Sequence, residues 1–414
     1  HLLEQIFQKL DNENLFKSRK VARSWEIMIC GRNYPWLRTV NIPTILQKRN
    51  TYLHLAAETG QIEAFKTAFS EEEDKNVKNE SGETSFHLAC KNGRFMVVQL
   101  LLKNTDLDFN INAKDPWGTT ALISACWKGH LNVAKTLIEN AADLKIDVNA
   151  KDHSCYGGTA FFWACFQGHS NLVRMFFENA VTCGIDLNAK ENYGSTGFHY
   201  ACARGCTDVV KIFMENAATC SIDLNIKDND GWTGFHSACF EGQSGVVKIL
   251  IDNATTLSID VNAKDHNGLT GFHQACDNEF RDLVKIFMKN AATSRIDLNI
   301  KENNGLTGFH LACDNVCTEL VKIFMENAAS LIFDPTAKSN NGLTAFHIAC
   351  LKGRSEVVEK LIENAEIFGI DLNTKDNEGQ TAFQLASKSD CYLTPSFLDL
   401  MLKNADTFKI DLKI

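Results

Sequence analysis

The chain has 414 residues, 44% of them hydrophobic and 22% charged, proportions that predict a soluble folded protein. No apolar run approaches the roughly 20 residues that span a bilayer, and a net charge of -9 speaks against nucleic acid as the main ligand. The charge is unevenly placed: nine Lys or Arg face four Asp or Glu in residues 1–50, whereas 33 face 47 in the remainder, so a basic head suited to an acidic partner precedes an acidic body.

Residues 1–40 predict a small helical module and 41–50 a linker. His1 to Leu10 is amphipathic, with Leu2, Leu3, Ile6 and Leu10 at helical spacing. Asp11-Asn-Glu-Asn14 is a polar break able to cap the next helix. That second helical stretch carries Leu15, Val21, Ala22 and Trp25, and Ile27, Met28 and Ile29 lead on to Trp36. A piece this short cannot bury so many large apolar groups alone, so it packs on the body or on a partner. The first residue is His, so the sequence reads as a fragment or a processed product, which leaves an upstream targeting signal open.

The series Leu2-Leu3, Ile6-Phe7, Leu10-Asp11, Leu15, Val21-Ala-Arg23, Trp25 and Trp36 resembles an F-box. The family's opening Leu-Pro pair is missing, which puts the strength of docking in question. The resemblance implies binding to the Skp-family adaptor of cullin-based ubiquitin ligases, carried by Leu2, Ile6, Leu10, Leu15, Val21 and Trp25. The plainer reading is a helical cap on the body, although a cap does not require that ordered series.

From residue 51 onward the string Thr-Gly-Phe-His-x-Ala-Cys or a close variant recurs, anchored by Thr51, Thr84, Thr120, Thr159, Thr196, Thr233, Thr270, Thr307, Thr344 and Thr381. The intervals are 33, 36 and 39 residues, then 37 six times. A period of this length means a stacked array of units, each too small to bury its own apolar face. In the unit from Asn225, the polar stretch to Gly231 predicts a hairpin turn. Thr233 predicts an N-cap, and Phe235, Ala238 and Cys239 mark the buried side of a short helix. Gly242 ends that helix, and Val246, Val247, Ile249, Leu250 and Ile251 form the stripe of a second one.

The order Asp228-Asn-Asp-Gly-Trp-Thr-Gly-Phe-His-Ser-Ala-Cys-Phe-Glu-Gly242, then Val246-Val247, resembles the ankyrin repeat. It implies an all-α solenoid of helix-turn-helix units joined by β-hairpin loops, about ten repeats over 51–414. Proline after the threonine is absent, replaced by Gly197, Gly234, Gly271 and Gly308 or by Ala or Ser, so the first helices lose a preorganised start. The extra residues of the period lie in stretches such as Asn216 to Asp223 and predict a longer second helix or exit loop. Lys409 to Lys413 reads as the start of another such linker. Between the helices, Gly60, Gly93, Gly129, Gly168, Gly205, Gly242 and Gly353 share one place that repeats seven and eight fill with Glu279 and Val316. If that turn is left-handed, Val316 carries strain of about 1–2 kcal/mol, and the softest part of the array falls near 276–320.

Eight cysteines hold one repeat position: Cys90, Cys126, Cys165, Cys202, Cys239, Cys276, Cys313 and Cys350. They read as small buried thiols in a reducing compartment, cytoplasmic or nuclear. His87, His199, His236, His273, His310 and His347 precede them by three residues, but Ile123 and Phe162 fill the same place without disturbing the pattern. These histidines read as hydrogen-bonding partners of the adjacent hairpin, the role the ankyrin resemblance implies, and not as zinc ligands, which must converge in fours. No metal, cofactor or catalytic constellation is predicted, so the protein is not expected to be an enzyme.

The ankyrin resemblance places binding at the hairpin tips and on the inner faces of the first helices. Trp117, Tyr156, Tyr193 and Trp232 fall at tips, and Trp127, Phe166 and Phe240 lie seven residues after their threonines. Trp163 and Tyr200 lie four after, where packing between repeats competes with exposure. Repeats seven and eight place Asn267, Asp277, Asn304 and Asp314 at the matching sites. The aromatic set predicts a protein-binding face. Together with the F-box resemblance it implies a substrate receptor that docks on the adaptor and holds an unknown protein target. The alternatives are a non-degradative scaffold with an inert head, and an effector that occupies another cell's ligase machinery.

Overall fold

The computed structural model describes residues 51–388 apart from 73, 104–108, 316 and 328–331, together with 399, 402 and 403. The expected module at 1–40, the linker and Val316 therefore lie outside the described residues. The chain divides into two compact units that meet between Asn192 and Tyr193.

The first unit runs α1 (Tyr52–Thr59), α2 (Ile62–Glu71), α3 (Ser85–Lys91), α4 (Phe95–Lys103), α5 (Ala121–Lys128), α6 (Leu131–Glu139), α7 (Ala141–Leu144), α8 (Ala160–Phe166) and α9 (Ser170–Cys183). The short helices α1, α3, α5 and α8 pack in one row, and α2, α4, α6 and α9 in a second. The other unit runs α10 (Gly197–Ala203), α11 (Thr207–Asn216), α12 (Gly234–Phe240), α13 (Ser244–Asp252), α14 (Gly271–Asp277), α15 (Arg281–Asn290), α16 (Gly308–Asp314), α17 (Thr318–Glu326), α18 (Ala345–Leu351), α19 (Ser355–Glu363), α20 (Ala365–Phe368) and α21 (Ala382–Lys388). Its rows are α10, α12, α14, α16, α18 and α21 against α11, α13, α15, α17 and α19. Between the rows lie fully buried phenylalanines such as Phe86, Phe161, Phe235, Phe287 and Phe324, each worth about 1.5–3 kcal/mol of transfer free energy.

The first helices start on their threonines. In seven repeats the Thr hydroxyl and the His three residues on form a reciprocal capping box. The Thr84 N–H donates to His87 Nδ1 at 3.2 Å, which leaves the proton on Nε2. In six of these repeats that group donates to the carbonyl before the next threonine, as in His54 to Glu83 at 3.0 Å, His87 to Thr119 at 3.1 Å, His236 to Leu269 at 3.1 Å and His310 to Leu343 at 3.2 Å, whereas the expected bond from His347 Nε2 is not made among the described residues. With Nδ1 accepting and Nε2 protonated, these rings have no lone pair to offer a metal. Burial holds the His87, His236 and His273 rings below their usual range, and takes His310 down to about 4.

Most of the hairpins are folded by carboxylates, with Asn79 and Ser339 accepting the equivalent N–H in two of them. Asp115 Oδ1 accepts from the N–H groups of Trp117 at 2.9 Å and Thr119 at 2.8 Å, while Gly118 turns the chain with φ 72°. From Trp117 onward successive tips also bond each other, as in Asn229 N–H to Tyr193 O at 3.0 Å and Asn303 N–H to Asn267 O at 3.0 Å. The resemblance to the family implies β-hairpins in these loops; among the described residues β pairing is an isolated bridge between Lys375 and Thr381. Side-chain acceptors and the adjacent repeat take the hydrogen bonds that a ladder would use.

The added residues of the period lengthen the second helix to fourteen residues in α9 and form a final turn elsewhere. That turn closes on a left-handed residue, Lys145, Gly184, Ser221, Ser258, Arg295 or Gly369, with φ between 51° and 62°. Asparagines join successive exit turns: Asn225 Nδ2 donates to Ser258 O at 2.8 Å, and Asn225 Oδ1 accepts from Asp260 N–H at 2.8 Å. Lysines add a second ladder, each Nζ donating to the carbonyl of the equivalent lysine one repeat on, as in Lys78 to Lys114, Lys227 to Lys264, and Lys264 to Lys301.

At the turn between helices Glu279 adopts φ 59°, where Gly129 and Gly242 have 80° and 69°. This is the left-handed backbone expected for that place. Glu279→Gly is therefore expected to stabilise the protein by about 1 kcal/mol, read as an increased urea midpoint. A lower midpoint would show that the Glu279 side chain contributes more than its backbone costs.

A candidate protein-binding face

The threonine caps and carboxylate-bound turns hold the hairpin tips and first helices on one side of each unit, so side chains there are displayed in register from repeat to repeat. In the first unit Trp117 is 58% exposed and Trp127 43% exposed. Trp127 stacks on Trp163 with ring centroids 4.6 Å apart and planes 13° from parallel. Trp163 is buried, and its indole N–H donates to Asp152 Oδ2 at 2.6 Å. Its place four residues after the threonine thus serves packing: it is the floor on which Trp127 lies. Tyr156 and Phe166 are half-buried against the same indole, at 5.8 Å and 5.3 Å.

In the second unit Tyr193 is 58% exposed and Phe240 43% exposed. Trp232 is half-buried, 4.9 Å from the Phe240 ring, and its N–H donates to Asp265 Oδ2 at 3.2 Å. Tyr200 is half-buried. The aromatic residues singled out by spacing are therefore grouped as Trp117, Trp127, Tyr156 and Phe166 in one unit and Tyr193, Trp232 and Phe240 in the other. The adaptor-docking set Leu2, Ile6, Leu10, Leu15, Val21 and Trp25 lies outside the described residues.

Sequence reasoning missed two features of this face. Asp152 and Asp265 position indoles as well as turns, a role their place in the turn motif does not announce. Gln274, four residues after Thr270, is buried with both side-chain amide atoms unpartnered among the described residues. The same place holds Leu311 and Ile348 in the next two repeats but Ser124 and Ser237 in earlier ones, so polarity alone was a weak signal.

The repeated cysteines are buried, and burial pushes the Cys90, Cys202, Cys239 and Cys276 thiols well above their usual range. Thiols in that state are poor nucleophiles and poor ligands. Among the described residues no group of three or more His, Cys, Asp or Glu is arranged to hold a metal, and no helix is long and apolar enough to cross a membrane.

Two rows of helices, capped turns and a displayed side-chain face define a helical repeat protein of the kind that binds other proteins. Family models for ankyrin repeats match residues 53–152, 144–225 and 162–265 as groups of three copies, and 333–386 in a second form describing many copies. These matches span more than half of the chain, and the chain belongs to the ankyrin-repeat family. It is 30% identical over 93 residues to Transient receptor potential cation channel subfamily A member 1 of Homo sapiens, a match covering 22% of this chain and 8% of that relative's length. Its fold is similar to the crystal structure of the ankyrin repeat domain of Bcl-3, a member of the IkappaB protein family, with a TM-score of 0.50 and 21% identity over 59% of this chain and 98% of that one. Ankyrin repeats are protein-protein interaction modules and generally non-enzymatic, and this chain is an interaction protein.

Proposed function

We propose that the protein is a substrate receptor, docking through residues 1–40 to a Skp-family adaptor of a cullin ubiquitin ligase and holding a protein target on its ankyrin repeats. The observation that carries the target-binding half is the exposed aromatic set, Trp117 and Trp127 in one unit and Tyr193 and Phe240 in the other. Large aromatics exposed on the surface of each unit are favoured as binding hot spots. The docking half rests on the F-box resemblance and on the basic head, which suits an acidic adaptor. Both halves fit a protein of the cytoplasm or nucleus, where the ligase works.

The test is co-purification of the full chain with the adaptor, using Leu10→Ala with Trp25→Ala as the control. Retention by the native chain and loss in the variant is expected; no retention by the native chain overturns the receptor reading in favour of a scaffold. On the target side, Trp117→Ala, Trp127→Ala and Phe240→Ala together are expected to abolish target capture. Trp117→Ala alone should change stability by no more than about 0.5 kcal/mol. Trp127→Ala costs about 1 kcal/mol by removing its stack on Trp163.

A further inference from the structure

In the second unit the place seven residues after the capping threonine is held in consecutive repeats by Phe240, Asp277 and Asp314. The Phe240 ring is exposed, and so is Asp277, whose carboxylate has no cationic partner among the described residues. Asp314 has Lys352 Nζ at 3.6 Å, an ion pair too long for a hydrogen bond, and its Oδ1 is buried without a hydrogen-bond partner among the described residues. One turn before Asp277, on the same side of α14, Gln274 is 4% exposed. Its side-chain oxygen and nitrogen both lack partners among the described residues. Burial and the neighbouring Asp314 carboxylate push the Asp277 carboxyl above its ordinary range.

These features conflict with stability taken alone. Buried amides are nearly always hydrogen-bonded, and two like charges on adjacent repeats repel. A cation with several directed donors relieves the repulsion and can serve the Gln274 side-chain oxygen, leaving the amide nitrogen to an acceptor of the bound chain.

We propose that Phe240, Gln274, Asp277 and Asp314 form a seat for an arginine side chain of the bound protein. The inference rests on the reading of this face as target-binding and adds the chemistry of what it takes. A guanidinium is planar and carries five donors in a fixed fork, so it can pair with the exposed Asp277 carboxylate and, once the Asp314 and Gln274 side chains rotate their buried Oδ1 and Oε1 outward, donate to those as well. Its flat face suits the exposed Phe240 ring. A lysine ammonium has three donors at one point and no flat face to lay on the ring. Glu241 adds a further carboxylate beside the row, and the described cations that touch it, Lys352 at Asp314 Oδ1 and Arg354 at the Asp314 carbonyl, both lie at its Asp314 end and leave Asp277 unpaired.

The test uses the full chain, labelled with nitrogen-15, and N-acetyl-arginine amide at millimolar concentration as the probe. A saturable shift of the Gln274 side-chain amide resonance is expected, at least tenfold weaker in Asp277→Asn with Asp314→Asn. That double variant should melt at an equal or higher temperature than the native chain, because it removes repulsion; a large drop would mark a purely structural role and overturn the proposal. N-acetyl-citrulline amide should leave the resonance unmoved, and N-acetyl-lysine amide should shift it at least fivefold less tightly. Equal shifts with arginine, lysine and calcium chloride, or no shift with arginine, overturn the proposal. Adaptor co-purification, and target capture measured with Trp117→Ala and Trp127→Ala while Phe240 is kept, use residues outside this row, so the receptor reading and the arginine seat can fail separately.

Discussion

Lowering the pH from 7 to 4 is expected to destabilise the protein by several kcal/mol, with most of the loss between pH 6.5 and 4. The cause is the set of capping histidines. His54, His87, His236, His273, His310 and His347 are all held below the usual imidazole range, burial being the largest cause in each. In the unfolded chain these rings take up protons near pH 6.5, whereas His310 in the fold does so only at about 4. Within that window the unfolded chain binds more protons, so stability falls as the pH falls; above pH 6.5 both states are neutral and nothing is lost. Fully developed, the His310 shift corresponds to about 3 kcal/mol. Asp277 acts in the opposite sense, since its raised carboxyl binds a proton earlier in the fold than in the unfolded chain, but it is a single group against six.

Urea midpoints measured from pH 8 to 4 check this. His310→Gln supplies the control, because repeat ten uses glutamine in the same way. Gln384 Oε1 accepts from Thr381 N–H at 3.0 Å, and Gln384 N–H donates back to Thr381 Oγ1 at 3.3 Å. The variant should keep its cap and show a shallower pH slope. A native midpoint that is flat from 6.5 to 4 would falsify the assignment of neutral, Nε2-protonated rings.

The second large effect runs against the family pattern. Placing proline after the threonine ordinarily preorganises a helix start, and a compatible proline adds about 0.4–1 kcal/mol. Here Gly271→Pro is expected to destabilise by about 2 kcal/mol. A Cβ on Gly271 would lie 2.7 Å from Cys239 Sγ and 2.9 Å from the Phe235 ring, both on the preceding repeat. Gly234 meets the Phe198 ring at 2.6 Å, and Gly308 meets Phe272 at 2.5 Å. The missing proline is thus the counterpart of the phenylalanine: the large ring of one repeat occupies the space that the next repeat vacates. Ala345→Pro, where a Cβ is already accommodated, is the control and should cost less than about 1 kcal/mol. Urea unfolding of the two variants distinguishes the cases; equal midpoints would remove the steric explanation.

The boundary between legible and hidden features is one of range. Thr233 as a cap, the left-handed turn at Glu279, the buried cysteines and the histidine bonds to adjacent hairpins were all readable. Each depends on residue type at a fixed repeat place. The Phe–Gly complementarity was not, because its two halves sit a full repeat apart and appear in the sequence as unrelated departures from the family pattern. Packing was an open reading for Trp163 from its spacing, but its stack under Trp127 was not, because the two indoles belong to different repeats. Asp277 was visible as a non-aromatic position and Gln274 was not singled out, because a lack of partners exists only once α14 is packed against its neighbours.

The lysine and asparagine ladders carry a further meaning. Lys227 reaches to Lys264, Lys264 to Lys301, Lys301 to Lys338 and Lys338 to Lys375 by the same bond. Donor and acceptor belong to the same residue type, the ammonium of one and the main-chain carbonyl of the next, so every copy brings both a plug and a socket. A tandem duplication or deletion of one 37-residue copy would therefore leave all of these couplings matched. Such a gene can vary its repeat number by whole copies without any compensating change at the new junction, and diversify the displayed residues afterwards.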